Sequence, residues 1–594
     1  MVADLSPAAR LQALRAELRR QGVTGAIIPR ADEHLGEYVP PSAERLAWLT
    51  GFTGSAGIAV VLPDRAAVFT DGRYVLQLAQ QTDAALWERC HITEQPPPSW
   101  LAAHVPIGAP IGYDPTLISE ESLGRFTAEG LNMQPLAANP VDAIWRERPA
   151  PPRAAAVPHP LRYAGRASAA KRAEIAAELR RAGQDVAVVS DPASIAWLFN
   201  IRGGDLFFTP VALGFALVHS DGRADLFMDP AKLGPETRAW LGNEVTVAPP
   251  EALGPALDRL TGKRVRVDPA SSSVWFGQRL RAAHADVVAG PDPCALPKAC
   301  KNEVEQAGAR AAHARDAVAL CRFLHFLAQE AASGHLTERG AAEKLLALRS
   351  ELEGFRGESF PAISGAGEHG AIIHYRVDEA SDRKLRANEI YLIDSGAQFP
   401  DGTTDVTRTI WTGPDAAPAA VRAHATRVLK GHIAIATLVF PAGITGLHID
   451  GFARRALWQA GLDYDHGTGH GVGSYLSVHE GPVSLSRQAK PMAIAPGMIL
   501  SNEPGLYIPG AYGIRLENLL LTQPAAPPEA TRPFLRFETL TLAPFDRALI
   551  EPSLLEAAER DWLNAYHARV VDEVGPRLER AERAWLQQAC APID

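Results

Sequence analysis

Residues 390–410 read IYLIDSGAQFPDGTTDVTRTI. Ile390 to Ser395 has strand character, Asp401-Gly402 is a turn pair, and Thr404 to Ile410 is rich in β-branched residues. Two such runs around an aspartate–glycine turn predict a β-hairpin. Antiparallel pairing across the turn can set Asp394 beside Asp405. Two carboxylates at that separation repel, and one would be driven to hold its proton. A divalent cation between them removes the conflict and keeps both ionised. On the hairpin alone a plainer reading stands, in which Asp394 ends a strand and Asp405 belongs to the turn. Residues farther along the chain weigh against it.

The segment His466-Gly-Thr-Gly-His470-Gly-Val-Gly473 places two histidines four apart. Glycine fills the positions between and around them, so the helical zinc motif HExxH is excluded. The glycines let backbone approach a ligand closely. In an extended segment positions i and i+4 share one face, which points both imidazoles into one cleft. No lysine or helix start follows, so the glycines are not a phosphate loop. His479 adds a third imidazole nearby. Glu503 stands at the end of the apolar run Met498–Leu500, before Pro504-Gly505. In Gly513-Ile-Arg-Leu-Glu-Asn518, alternation puts Ile514 and Leu516 on one face and Arg515 with Glu517 on the other. Arg515 is then placed to brace a ligand carboxylate; the ordinary alternative is a surface ion pair with Glu517, worth little.

Taken in order, Asp394, Asp405, His470, Glu503 and Glu517 supply four carboxylates and one imidazole. That is about the charge needed to hold two divalent cations, and such a pair can turn a bridging water into hydroxide near neutral pH. The set reads as the centre of a hydrolase.

The chain has 594 residues, too many for one hydrophobic core, and its length predicts three or four domains. A formal net charge of −9 is modest at this size and gives no basic face for phosphate, so nucleic acid is not expected as a partner. Five scattered cysteines with no CxxC pair argue against a disulfide framework and a thiolate zinc site; Cys294 and Cys300 are near enough in sequence to pair, but free thiols in a reducing compartment are expected. No run of 18 apolar residues predicts a membrane span. The first thirty residues are charged and helical in period rather than signal-like, which points to the cytoplasm.

Two proline-rich stretches, Pro149–Pro160 and Pro291–Pro297, read as linkers. The segments before them echo one another. Each has a helical stretch, an apolar run (Gly25–Pro29; Val186–Val189), a Trp-Leu pair (Trp48-Leu49; Trp197-Leu198) and a glycine-bearing turn. Each then has a hairpin ending in a similar tetrapeptide, Val68-Phe69-Thr70-Asp71 and Leu226-Phe227-Met228-Asp229. Two α/β domains of one ancestry are expected. Helical patterns follow over about 301–333 and 338–354, then strands over 371–375, 389–395 and 404–411. Helices recur over 417–438 and 447–460, and strands over 467–472, 498–503, 513–522 and 535–543. That order suits an α+β sheet with helices on one face. The tail from Pro552 reads as helical, with Trp562 and Trp585 as packing anchors.

These contexts resemble the pita-bread metallopeptidase family, which includes methionine aminopeptidase, prolidase and aminopeptidase P. The stretches that carry the likeness are Ile372-Ile-His-Tyr375, Leu392-Ile-Asp-Ser-Gly396, Thr404-Asp-Val-Thr-Arg408, residues 467–473, Val478-His-Glu-Gly-Pro482, Ser501-Asn-Glu-Pro-Gly505 and residues 513–518. Residues 48–57, 70–74, 197–203, 537–541 and 562–567 extend it to the long, three-domain cytosolic aminopeptidase P branch. The resemblance implies creatinase-like α/β domains over 1–155 and 156–299, a pita-bread α+β catalytic domain over 300–530 and a helical C-terminal extension over 531–594. It implies two divalent cations, manganese by preference and zinc or cobalt as alternatives. Asp394 would chelate one, Asp405 and Glu517 would bridge both, and His470 with Glu503 would complete the other. A metal-bridging hydroxide would attack the bond before a proline in second position, with Glu503 as a proton shuttle. His374 and His479 match histidines that contact substrate and stabilise the oxyanion, and His466 matches one lining the proline pocket. A homodimer through the catalytic region is also implied. Within the family the rival is prolidase, a dipeptidase; outside it, a non-catalytic peptide-binding scaffold.

Overall fold

Leu11, Leu14 and Leu18 recur at helical spacing and form the buried side of the helix Pro7–Arg20, which Ser6 caps and a proline opens. This helix begins the computed structural model, which describes residues 6–594. The apolar strand that follows, Gly25–Pro29, lies near the middle of a six-stranded sheet. From edge to edge the strands are Glu88–His91, Ala66–Thr70, Ile58–Val61, Gly25–Pro29, Pro110–Tyr113 and Asn132–Pro135. The pairings across the sheet run parallel, antiparallel, antiparallel, parallel and parallel.

The second sheet repeats this plan. Its strands, in the same order, are Val245–Ala248, Ala224–Phe227, Phe215–His219, Val186–Val189, Arg264–Val267 and Asp286–Ala289. Its pairings run through the same sequence of directions. A 14-residue helix precedes each first strand, Pro7–Arg20 and Ser168–Arg181. The two Trp-Leu pairs sit on equivalent helices, Arg45–Thr50 and Pro192–Phe199. Five corresponding pairings with matching directions are the structural form of the echo in the sequence, and the two α/β folds are related.

The chain divides into two units, one running to Ala295 without residues 160–165, the other made of Pro160–Gly165 and Leu296–Asp594. The first proline-rich stretch is not a free linker throughout. Val157–Pro158 pairs with Ile201–Arg202, and Pro160 precedes a one-turn helix, Leu161–Ala164. Edge strands and helix starts tolerate a missing N–H, which is why proline fits both places. The Ala164 carbonyl accepts a hydrogen bond from Asn302 Nδ2 at 2.9 Å. Gly165 has φ +67°, and a Cβ there would meet Asn302 Oδ1 at 2.2 Å. Asn302 is also the cap of the longest helix, Glu303–Glu330, closing a capping box with Glu305.

The second unit carries a three-stranded antiparallel sheet of Ile363–Ala366, Ile390–Ser395 and Val406–Trp411. A six-stranded sheet has the order Val439–Pro441, Phe534–Thr539, Asn518–Ala525, Ile499–Asn502, Gly469–Gly471, Glu480–Leu485. Helices Ala419–Ala436 and Gly446–Trp458 pack with these strands through Ile435, Ile449, Ala453, Leu485, Leu500 and Leu520. The tail forms helices Ala557–Val574 and Arg580–Ala589, with Trp562 and Trp585 packed against the core. The multi-domain α/β plus α+β class therefore holds.

Three local expectations are corrected. The strand expected over 371–375 is a 3₁₀ turn, Gly367–Ala371, followed by another turn in which Tyr375 N–H donates to Ile372 O. The hairpin turn is Pro400-Asp401, because Phe399 pairs with Gly402; proline's fixed φ suits the first turn position. The strand expected over 513–522 breaks into Tyr512–Arg515 and Asn518–Ala525. At the break Leu516 N–H donates to Pro504 O and Glu517 N–H to Thr407 O, so the backbone leaves one ladder and joins another. No disulfide joins any of the five cysteines, and no described helix is long and apolar enough to cross a membrane.

Candidate metal centre

Pairing of Ile390–Ser395 with Val406–Trp411 sets Asp394 opposite Thr407. Asp405, two residues before Thr407, projects to the same side. In the larger sheet Asn502 pairs with Asn518, which brings Glu503 and Glu517 to the adjoining ends of two strands. His470 lies on the neighbouring strand, where its N–H donates to Ser501 Oγ at 2.9 Å. The glycines around His470 serve strand packing: a Cβ on Gly469 would stand 2.0 Å from Ser501 O, and one on Gly471 2.2 Å from Glu480 O. Both glycines allow close approach of neighbouring strands.

These elements converge. Single ligand atoms of Asp405, His470 and Glu517 lie within 4.8 Å of one another. His470 Nε2 is 3.6 Å from Asp405 Oδ2 and 3.3 Å from Glu503 Oε1. Asp394 Oδ2 accepts from Arg515 Nη2 at 2.7 Å. Arg515 is buried, and its strand ends before Glu517, so its partner is Asp394 rather than its near neighbour. Arg515 Nη1 donates to Tyr507 OH at 2.7 Å, and Tyr507 OH meets His466 Nε2 at 2.8 Å. His466 thus stands one phenol away from the arginine. The His479 ring lies edge-on to His470 with centroids 4.4 Å apart. His374, half-buried, directly follows Ile373, whose carbonyl faces Arg515 Nη1 at 3.4 Å.

The electrostatics are those of crowded acid. Asp405 is driven well above the ordinary carboxylate range, first by burial and then by the charges of Glu517, Asp394 and Glu503. Glu517 is raised for the same reasons, burial first. Burial pushes Glu503 up to about 7, with Asp394 adding and Arg515 opposing. Asp394 Oδ1 and Asp405 Oδ1 are buried without a hydrogen-bond partner. Such orphaned anionic oxygens are costly unless a cation takes them. The His470 Nδ1 proton bonds the Gly471 carbonyl at 2.9 Å, which leaves the Nε2 lone pair facing the carboxylates. Two buried orphan oxygens, a set of repelling carboxylates and an oriented imidazole fit hard or borderline divalent cations.

Comparison with known proteins follows the same line. Residues 10–135 and 147–305 each match a creatinase/prolidase N-terminal domain. Residues 307–524 match metallopeptidase family M24, and 533–593 match the C-terminal region of peptidase M24. A probable Xaa-Pro aminopeptidase P from Aspergillus fumigatus is 39% identical over 612 residues, covering 98% of this chain and 92% of its own. The chain belongs to metallopeptidase family M24. A probable Xaa-Pro aminopeptidase P from Laccaria bicolor is 40% identical over 608 residues, covering 98% of this chain and 93% of its own. Among solved structures, the X-prolyl aminopeptidase of Caenorhabditis elegans, described as a cytosolic enzyme with a di-nuclear active site, superposes with a TM-score of 0.94. It is 34% identical and covers 99% of this chain and 100% of its own.

Three residues outside the set expected from the sequence hydrogen-bond within this cluster. Thr407 Oγ1 donates to Glu517 Oε2 at 2.8 Å and accepts from Arg515 Nε at 3.1 Å, joining the two sheets. Ser501 Oγ donates to Glu503 Oε1 at 3.0 Å. Tyr507 links Arg515 to His466. For Thr407 and Ser501 a signal existed, since period-2 alternation places them on the same side as Asp405 and Glu503. For Tyr507 none did, because its role depends on a two-stranded hairpin formed with Tyr512–Arg515.

Proposed function

We propose that this chain is a metal-dependent exopeptidase that removes the N-terminal residue from peptides with proline in second position. The observation that carries the reading is the convergence of four carboxylates and His470 in a chain that matches Xaa-Pro aminopeptidases from end to end. Asp394, Asp405, His470, Glu503 and Glu517 would hold two divalent cations between them. Oxygen-rich ligation favours manganese, with zinc and cobalt as substitutes. When bound, such a pair polarises a carbonyl and makes water nucleophilic near neutral pH.

The chain's own groups supply the rest. Arg515 fixes the Asp394 carboxylate, and Thr407 fixes that of Glu517. Glu503 takes up and returns a proton at Oε1, beside the Ser501 hydroxyl. His479 and His374 donate to the carbonyl oxygen as it gains charge. The bond before proline has no N–H and a fixed φ, so a site must accept a ring instead of a backbone donor. His466, held by Tyr507, lines that side. The four-part division at residues 155, 299 and 530, residence in the cytoplasm and a homodimer through the catalytic part belong to the same reading.

The test is cleavage of Arg-Pro-Pro by manganese-loaded protein, followed by mass spectrometry. Free arginine and Pro-Pro are expected. An intact tripeptide with cleaved Xaa-Pro dipeptide would make the protein a prolidase. Absence of both turnover and bound metal would make it a scaffold.

A further inference from the structure

Alternation along Val406–Trp411 turns Arg408 away from the carboxylates and into the interior, where it is buried. No carboxylate among the described residues forms an ion pair with it. Its donors are spent on uncharged oxygens. Nε donates to Pro544 O at 3.0 Å. Nη1 donates to Thr407 O at 2.9 Å and Glu517 O at 2.7 Å. Nη2 donates to Asn518 Oδ1 at 2.8 Å, Ala543 O at 2.7 Å and Tyr566 OH at 3.1 Å. The guanidinium also lies over the Phe545 ring, 4.4 Å from its centroid.

A buried guanidinium without a counter-ion is costly. An apolar side chain would fill the space without that cost, but it would take these donors from the Pro544, Glu517 and Ala543 carbonyls. What arginine adds is a rigid fork of five donors that can engage separate chain segments at once. Here it joins the backbone of Thr407 and of Glu517 to segment 543–544 and to the helix Ala557–Val574. A second connection runs alongside. Tyr566 stacks on Trp562 with centroids 5.3 Å apart, and Trp562 in turn touches His432. The His432 ring faces Leu516 O and Asn518 Nδ2, both at 3.2 Å, and its carbonyl accepts from Asn502 Nδ2 at 2.9 Å. The residues flanking Glu503 and Glu517 are therefore pinned from behind by groups that contact the C-terminal extension.

We propose that Arg408 is a positioning residue through which the C-terminal extension fixes the backbone carrying Glu517, and so sets affinity for divalent cations. The inference rests on the reading of Glu517 as a ligand. Residues that orient ligands from behind commonly cost 10–100-fold in metal affinity when changed.

The experiment is calorimetric titration of manganese into chelator-treated full-length protein, with thermal unfolding of the same samples. Arg408→Lys keeps the charge and loses the fork. Tyr566→Phe removes one hydroxyl and is the safer variant should Arg408→Lys fail to fold. Both should bind manganese about tenfold or more weakly, with peptide KM unchanged and kcat recovering at saturating manganese. Val570→Ala, a buried residue of the same helix, should lower the unfolding temperature yet leave manganese affinity within about twofold. Wild-type affinity in folded Tyr566→Phe and Arg408→Lys, or an equal loss in Val570→Ala, overturns the proposal. Glu517→Gln separates the two readings. If it keeps full manganese stoichiometry, the ligand assignment fails; if it loses metal while Arg408→Lys binds normally, only the positioning role fails.

Discussion

Asp405→Asn should have opposite effects on stability with and without metal. The Asp405 and Glu517 ligand oxygens lie within 4.8 Å, and Asp394 and Glu503 add further negative charge. At an effective dielectric near 20, two unit charges at that separation repel by about 3.5 kcal/mol. Proton uptake relieves part of this at neutral pH, so removing one charge should stabilise the metal-free protein by about 2 kcal/mol. For a domain of this size that is a rise of about 4 °C in the unfolding temperature. With manganese the order should reverse. A ligand at one hundred times its dissociation constant stabilises by about 2.7 kcal/mol, and the variant, lacking one carboxylate of the proposed ligand set, forgoes most of that gain. The assay is differential scanning calorimetry of both proteins in chelator and in manganese, with peptide hydrolysis measured alongside. Asp405→Asn should be inactive, more stable than wild type in chelator and less stable in manganese. A variant that is less stable in chelator, or that still hydrolyses peptide, would refute the repelling cluster.

Thr407→Val removes the hydroxyl between Glu517 and Arg515, and kcat/KM should fall about 10–100-fold, with wild-type kinetics as the contrary result. Acid should weaken the fold through two histidines. Burial and the Arg408 charge push His432 down to about 3 and His567 down to about 4. Both lie below the ordinary histidine value, so the unfolded chain binds protons first; stability is full above about pH 6.5 and is lost as pH falls toward 4 and then 3. Each should contribute a loss of about 2 kcal/mol between pH 6.5 and pH 5. Denaturant midpoints at pH 7.5 and pH 5 measure it, and a pH-independent midpoint would refute it.

The parts of the fold legible in the sequence are those with long-range periodicity. The leucines of 301–333 and the paired segments ahead of the proline stretches imply their elements directly, because burial on one face repeats at 3.6 or 2 residues. Segment 371–375 did not obey this. It is apolar enough for a strand, but Gly370 lies against Gly513 so closely that a Cβ on the latter would meet Gly370 O at 1.7 Å, and the chain turns instead. The break at Leu516-Glu517 was equally hidden, since its cause is a pair of hydrogen bonds to Pro504 and Thr407, distant in sequence. At the site, ionisable residues announce themselves by their chemistry. Thr407 and Tyr507 do not, because a hydroxyl becomes important only through the partners that folding brings to it.

The one-turn helix Leu161–Ala164 leaves the ribosome early and finds its partner late. Asn302, which bonds Ala164, follows after roughly 140 residues, a delay on the order of ten seconds at ordinary synthesis rates. The whole second α/β sheet, residues 186–289, emerges in that interval and can close within it. The nascent chain must therefore carry an unfilled joint past a completed neighbour. A segment translated before the peptidase half begins waits for that half to receive it.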